Sequence, residues 1–427
     1  MNNVFRNKNF CLVFLGALVS ELGTIMYNFA VSFYILEITG NNAFLQGLYL
    51  ALCGIAMVVT TPIGGVFGDR FNKAKIMYIC DYVKGGNILI STLFLVLSPN
   101  SSAKIAILFV MGVIGNIVSG IFTPASNSIF PHIVDESQLQ QANSYFAMKT
   151  ALEGIVGVVL AGILYAAFSF HIILIIVGSC YILSAISEMF IRYEHHRSKE
   201  ELTIKLALND MKEGFNYLRN KKGIMAFLCA MLFINFFYSQ IMSNFVPFFI
   251  KTELAKAPSY LFDNVLKPEL WASIFNFFFG ISLMLAAAVL SSRAQMDRCG
   301  KKSAYRICVM AVAIILLSVS YSLLVQTGRS INAFLIIYCI VSFVVGSLVS
   351  SVNIPTNTAI MRIVDINMLS KVNCIISVGS QGMIPIGNVI AGIILKELGC
   401  APLLILCSAG FTVTALLLVA NKNIEEF

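Results

Sequence analysis

The sequence predicts an all-α membrane protein, with twelve transmembrane helices in two six-helix bundles related by a pseudo-twofold axis. Three observations carry this expectation: an apolar composition, a chain that repeats itself, and basic residues gathered in alternate loops. Hydrophobic residues make up 58% of the 427 and charged residues 12%, against roughly 45–50% and about 25% in soluble domains. A chain this apolar cannot cover its surface in water. Residues 127–163 lie over 357–393 without a gap. Asn127 falls on Asn357, Ile133-Val134-Asp135 on Ile363-Val364-Asp365, Asn143 on Asn373, and Ala161-Gly162-Ile163 on Ala391-Gly392-Ile393. The basic hairpin at 64–75 recurs in worn form at 291–302, where Asp69, Arg70 and Lys73 meet Asp297, Arg298 and Lys301.

A bilayer core about 30 Å thick needs around 20 mostly apolar residues per helix. Spans are therefore expected at 9–37, 44–68, 76–97, 104–129, 142–166, 168–193, 222–250, 271–292, 302–326, 330–356, 372–396 and 400–421. The first run begins after Arg6 and Lys8 like a signal peptide. It continues to Ile38, contains Glu21 and lacks a small-residue cleavage site, so it reads as the first span. An even count puts both termini on one side. Loops on that side carry Arg6, Lys8, Arg70, Lys73, Lys75 and the clusters at 192–222 and 293–306, while the opposite loops are poor in Lys and Arg. The positive-inside rule makes the terminal side cytoplasmic, as in a bacterial-type inner membrane.

The organisation expected is an N-terminal bundle over 1–193, a linker over 194–221 and a C-terminal bundle over 222–427. In the linker, Leu208, Met211, Phe215 and Leu218 recur at helical spacing among polar residues, the pattern of an amphipathic helix on the membrane face. The net charge of +8 does not point to nucleic acid, because the basic residues sit between apolar runs. The eleven cysteines are scattered, with no C-x-x-C pair, and read as small buried hydrophobes. His195-His196 lacks a third ligand and reads as loop. No metal and no cofactor is expected.

Two membrane-embedded halves are the construction of secondary transporters. Gly65, Asp69, Arg70, Lys73 and Lys75 resemble the cytoplasmic hairpin of the major facilitator superfamily, G-x-x-x-D-R-x-G-R-[KR], with Asn72 in place of the usual glycine. Further stretches are similar to its macrolide-efflux and enterobactin-exporter branch. These are Val19-Ser20-Glu21-Leu22-Gly23, Phe122-Thr123-Pro124-Ala125 leading to Gln140-Gln141-Ala142-Asn143, and Lys212-Glu213-Gly214-Phe215-Asn216-Tyr217-Leu218-Arg219. The resemblance implies the major facilitator fold and an exporter of drug-like or siderophore-like molecules, usually a proton antiporter with alternating access. It also implies that Asp69 and Arg70, with Gly65, latch one of the two states. The fifth span departs from the antiporter signature G-P-x-x-G, because Val158 follows Gly157 and the related Pro385-Ile386-Gly387 lies in the eleventh span. A facilitator, importer or lipid flippase of the same fold is the alternative.

Charges at membrane depth are costly and functional by default. Glu21 falls near the midplane, and Thr24, Asn28 and Ser32 continue its helical face as a stripe for a wet cavity. It is the expected principal proton carrier. Glu153 follows Lys149 by one turn, a pair that either neutralises itself or serves as a secondary switch. Asp81 and Lys84 are expected to join the hairpin's charge network, with Asp297 and Arg298 as its counterpart in the second half. Asn116 and Ser119 share a face of the fourth span and, with Thr24 and Asn28, are expected to line the substrate cavity or else to tighten helix packing. The second half carries amides and aromatics instead of charge, and Asn235, Tyr238, Asn276 and Gln381 are the expected substrate contacts.

No P-loop, H-E-x-x-H or nucleophile–base set occurs, which argues against an enzyme. Short loops argue against a scaffold. The expected partners are a small-molecule substrate, protons and the bilayer, with the chain acting as a monomer.

Overall fold

A computed structural model describes residues 4–129, 133–134, 138–192, 212–219, 221–291, 299–365, 368, 372, 375–376, 379, 381–421 and 424. In lipid, backbone N–H and C=O groups must be satisfied within the segment. Among the described residues every regular element is helical.

The first six long helices are α1 (Lys8–Ile38), α2 (Ala43–Arg70), α3 (Lys73–Leu97), α4 (Ser101–Asn127), α5 (Leu139–Ala167) and α6 (Phe170–Glu188). The second six are α7 (Lys222–Gln240), α8 (Leu270–Ser291), α9 (Cys299–Ser320), α10 (Ile331–Ile363), α11 (Ile384–Glu397) and α12 (Cys400–Ala420). A π-helical turn, Ile241–Phe245, carries α7 on to Val246–Thr252, and another, Tyr321–Gln326, closes α9. Eleven of the described helices are long and apolar enough to cross a membrane. The twelfth position is α11, which opens with Pro385 in its first turn, where a missing N–H costs nothing.

The apolar windows locate spans better than helix ends. α10 runs to Ile363 although its window stops at 356, because the polar segment after Asn353 stays helical through Pro355. α6 stops at Glu188, short of the expected 193. Of the expected linker helix, 194–211 lies outside the described residues. Residues 212–219 are helical, with Leu218 buried and Lys212, Glu213, Asn216 and Arg219 exposed.

The described chain divides into two compact units, 1–39 with 52–207 and 40–51 with 208–427. In the first, Val4, Phe10 and Val13 pack with Ala74, Met77 and Cys80 of α3 and with Val118, Phe122 and Ala125 of α4. The start of α1 is pinned there. Asn7 Oδ1 accepts from Asn9 and Phe10 N–H at 3.0 and 3.3 Å, while its Nδ2 donates to Ile133 O at 2.6 Å. In the second unit, residues 40–51 belong with α11: a side chain on Gly392 would meet Phe44 Cα at 3.1 Å and Gly47 Cα at 3.3 Å. The core is aromatic. Phe245, Phe249, Phe275, Tyr321, Phe334 and Tyr338 are all buried, with Phe275 and Tyr338 stacked at 4.0 Å. Trp271 is 3% exposed and packs on Phe275.

Small residues let helix backbones approach in a bilayer, and two adjacent glycines show the distinction. A Cβ on Gly64 would lie 2.6 Å from Ile121 Cα, against backbone that cannot yield, whereas one on Gly65 would meet nothing within 4 Å. Gly64→Ala is therefore expected to destabilise the protein by about 1–3 kcal/mol through overpacking. Gly65→Ala is expected to be neutral or to stabilise by up to ~1 kcal/mol from helix propensity. Thermal unfolding of both variants in lipid nanodiscs checks the contrast.

Candidate functional site

The hairpin between α2 and α3 is built by its own polar atoms. Asn72, the departure from the superfamily's glycine, is the N-cap of α3: its backbone is extended and its Oδ1 accepts from Lys75 N–H at 3.1 Å. Capping satisfies a helix N–H that would otherwise lack a partner. Lys73, 6% exposed, turns back and donates to Gly68 O at 2.7 Å, placing a cation at the C-terminal end of α2, the favourable end of its dipole. The side chains of Asp69 and Arg70, and all of Asp297 and Arg298, lie outside the described residues.

Asp81 and Lys84 sit away from this hairpin. At 1.5 Å per residue Asp81 is ~12 Å along α3 from Lys73 and Lys84 a turn further, and both face inward. Asp81 is 0% exposed and Lys84 6%. The Lys84 ammonium rests 4.8 Å from the Phe122 ring centroid and 5.3 Å from that of Tyr181, a cation–π setting that partly replaces lost hydration.

Tyr181 links α6 to α1. Thr24 Oγ1 donates to Ser20 O at 3.0 Å, so its 2.8 Å contact with Tyr181 has the tyrosine hydroxyl as donor. A crevice follows from this arrangement, lined by Thr24, Asn28, Lys84, Asn116, Ser119 and Tyr181. Four residues expected to line a cavity, Thr24, Asn28, Asn116 and Ser119, thus meet in one place with Lys84. Its water-accessible space is about 40 Å³, room for a few waters and far below the roughly 300 Å³ or more of a drug-sized site. Asn116 Nδ2 donates to Gly112 O of its own helix at 2.9 Å, leaving its carbonyl oxygen toward the crevice chemistry.

Glu21, one turn before Thr24, is half-buried. It acts electrostatically on Asp81 on one side and on Glu153 on the other. Glu153 is held bidentately by Lys149 at 2.9 and 3.1 Å, both side chains at most 5% exposed, and the ammonium also sits 4.9 Å from the Phe146 ring. That pair neutralises itself within α5.

The sequence reading passed over Glu188. It closes α6, is 0% exposed, and fits against Gly16 of α1, where a Cβ would stand 3.1 Å from its Cγ. Its place near the end of an apolar run disguised it as interfacial. The signal that finds it is the α1 glycine opposite.

The second unit holds the remaining expected contacts. Asn235 and Gln381 are exposed, Asn276 Nδ2 donates to Ala272 O of its own helix at 2.8 Å, and Tyr238 packs 5.6 Å from Phe279. The amides that converge are others. Asn244, in the π turn and 0% exposed, donates to Gln240 Oε1 at 2.9 Å and to Asn388 Oδ1 of α11 at 2.8 Å. Among the described residues no group of three or more His, Cys, Asp or Glu could hold a metal ion, and His195-His196 lies outside them.

These features have relatives. The chain is 23% identical over 299 residues to the MFS-type transporter YkuC of Bacillus subtilis, spanning 67% of this chain and 65% of that protein. It is 26% identical over 340 residues to macrolide efflux protein A of Streptococcus pyogenes, covering 75% of this chain and 80% of the relative. The fold is similar to that of a crystallised D-xylose–proton symporter, with a TM-score of 0.74 at 12% identity and 98% of each chain covered. The family model of the Major Facilitator Superfamily matches residues 13–388, and with twelve helices in this order the chain belongs to that superfamily of membrane transporters.

Proposed function

We propose that this transporter exports an amphipathic drug-like or siderophore-like molecule in exchange for protons, by alternating access. The carrying observation is Glu21, a half-buried carboxylate on the polar face of α1, a turn from a water-sized crevice and between two sets of buried charges. A crevice too small for drug-like substrate but sized for water suits proton movement. Similarity to macrolide efflux protein A supports outward transport of a bulky amphipath. Glu21 is the principal proton carrier and Lys149–Glu153 a secondary element. Asn235, Tyr238, Asn276 and Gln381 remain the proposed substrate contacts. The hairpins with Gly65, Asp69, Arg70, Asp297 and Arg298 act as latches on the cytoplasmic side, where both termini lie in an inner membrane. The chain works as a monomer. Protons and substrate drive the change of state by binding the two states unequally.

Glu21→Gln is expected to abolish pH-gradient-driven efflux of a macrolide probe from proteoliposomes while leaving gradient-independent exchange in place. Full gradient-driven efflux in this variant removes Glu21 from the mechanism.

Lys149→Met strands a buried carboxylate and should cost about 3–5 kcal/mol. Lys149→Met with Glu153→Gln should recover most of that stability. Comparing thermal unfolding with efflux in the double variant separates packing from coupling: stability returning without the pH-gradient response assigns the pair to coupling.

A further inference from the structure

Asp81 and Glu188 are both 0% exposed, and none of their four carboxylate oxygens has a hydrogen-bond partner. They come from facing helices. Gly85 of α3 packs against Gly178 and Ile182 of α6, and Tyr82 donates to Met189 Sδ at 3.1 Å. Ser184 lies alongside Asp81 but its hydroxyl donates to Gly16 O at 2.9 Å. Asp81, Glu188 and Lys84 act on one another electrostatically, yet no carboxylate of the described residues is within 4.0 Å of the Lys84 ammonium, which stands over two aromatic rings.

Two buried carboxylates against one lysine leave a surplus negative charge in a medium where an unpaired ion costs several kcal/mol. Unpartnered carboxylate oxygens at that depth are equally costly. One proton resolves the surplus charge, because a neutral carboxyl at one of the two acids leaves a single carboxylate to balance Lys84. A metal ion would need further ligands, and no three ligating groups converge here.

We propose that Asp81 and Glu188 share one exchangeable proton and form a proton-binding site of this transporter, with Lys84 as its counter-charge. The groups that face it are Glu21 and Thr24 from α1, Cys80 and Lys84 from α3, and Tyr181 and Ser184 from α6. α4 presents only neutral side chains, and beyond α1 lies the self-neutralised Lys149–Glu153 pair of α5. On release the carboxyl O–H bond breaks and the proton passes to water, leaving both acids as carboxylates. The role in coupling rests on the antiport reading above, whereas proton binding at the pair does not.

The test is infrared difference spectroscopy of the full-length protein in lipid nanodiscs across an alkaline pH step. Wild type should lose a buried-carboxyl C=O band that shifts in D₂O. Asp81→Asn and Glu188→Gln should each lack that band, because a single remaining carboxylate is balanced by Lys84. Lys84→Gln should keep it and lose it at higher pH, since removing a positive charge raises proton affinity. That shift is a readout a packing role would not produce, and it stands even when a carboxylate variant fails to fold. A band unchanged in both carboxylate variants, no band in wild type, or no pH shift in Lys84→Gln overturns the proposal. The band together with macrolide efflux indifferent to the pH gradient supports the site and overturns the antiport reading. Gradient-driven efflux without the band overturns the site and leaves antiport standing.

Discussion

Charge inside the first bundle has to be balanced from within the bundle, because the surrounding hydrocarbon offers neither water nor counter-ion. Lys149 and Glu153 solve this locally, one turn apart on α5. Lys84 solves it over a longer reach, with two aromatic rings beneath it and carboxylates on α3 and α6 nearby. Glu21 senses both arrangements from α1 while keeping some exposure. The positions of α1, α3 and α6 relative to one another are therefore electrostatic as much as steric. Gly16 leaves room for Glu188 against α1, and Gly85 and Gly178 let α3 and α6 pack closely.

The second bundle meets the same solvent with different means. It carries its polar contacts as amides, which can be buried without a counter-charge provided their donors and acceptors are met. Asn244 donates to Gln240 Oε1 and to Asn388 Oδ1, joining α7 to α11, and its own Oδ1 is left without a partner. The rest of that interior is a stack of aromatic rings whose edge-to-face contacts add modestly to burial. Hydroxyl–carboxylate contacts also occur, and Tyr321 donating to Glu253 keeps the acid just past the Val246–Thr252 helix satisfied. The first half thus buries several ionisable groups, whereas the interior of the second is mostly amides and aromatic rings.

Much of this was legible in the sequence because lipid is an unforgiving solvent. Twenty apolar residues have few alternatives to a helix, so the spans could be placed, and a polar stripe at Glu21, Thr24 and Asn28 could be read from helical spacing. Thr24, Asn28, Asn116 and Ser119 meet in a crevice for that reason. Glu188 and the Asn244–Asn388 contact were not legible, because both depend on which face one helix turns to another, and periodicity along one strand of sequence carries no such information. Asn72 shows the reverse. A residue that departs from the family pattern is here the cap that starts α3.

The π turns in α7 and α9 each hold a residue more than an ordinary turn of α-helix requires. Returning either to α geometry would rotate everything beyond it by about 100°, the angle subtended by one residue. In α7 that twist would swing Asn244 off Asn388 and re-aim the segment that ends in Lys251 and Glu253. The second bundle therefore stores a wound-in register step in a helix whose stretch from 223 to 250 carries no charged side chain.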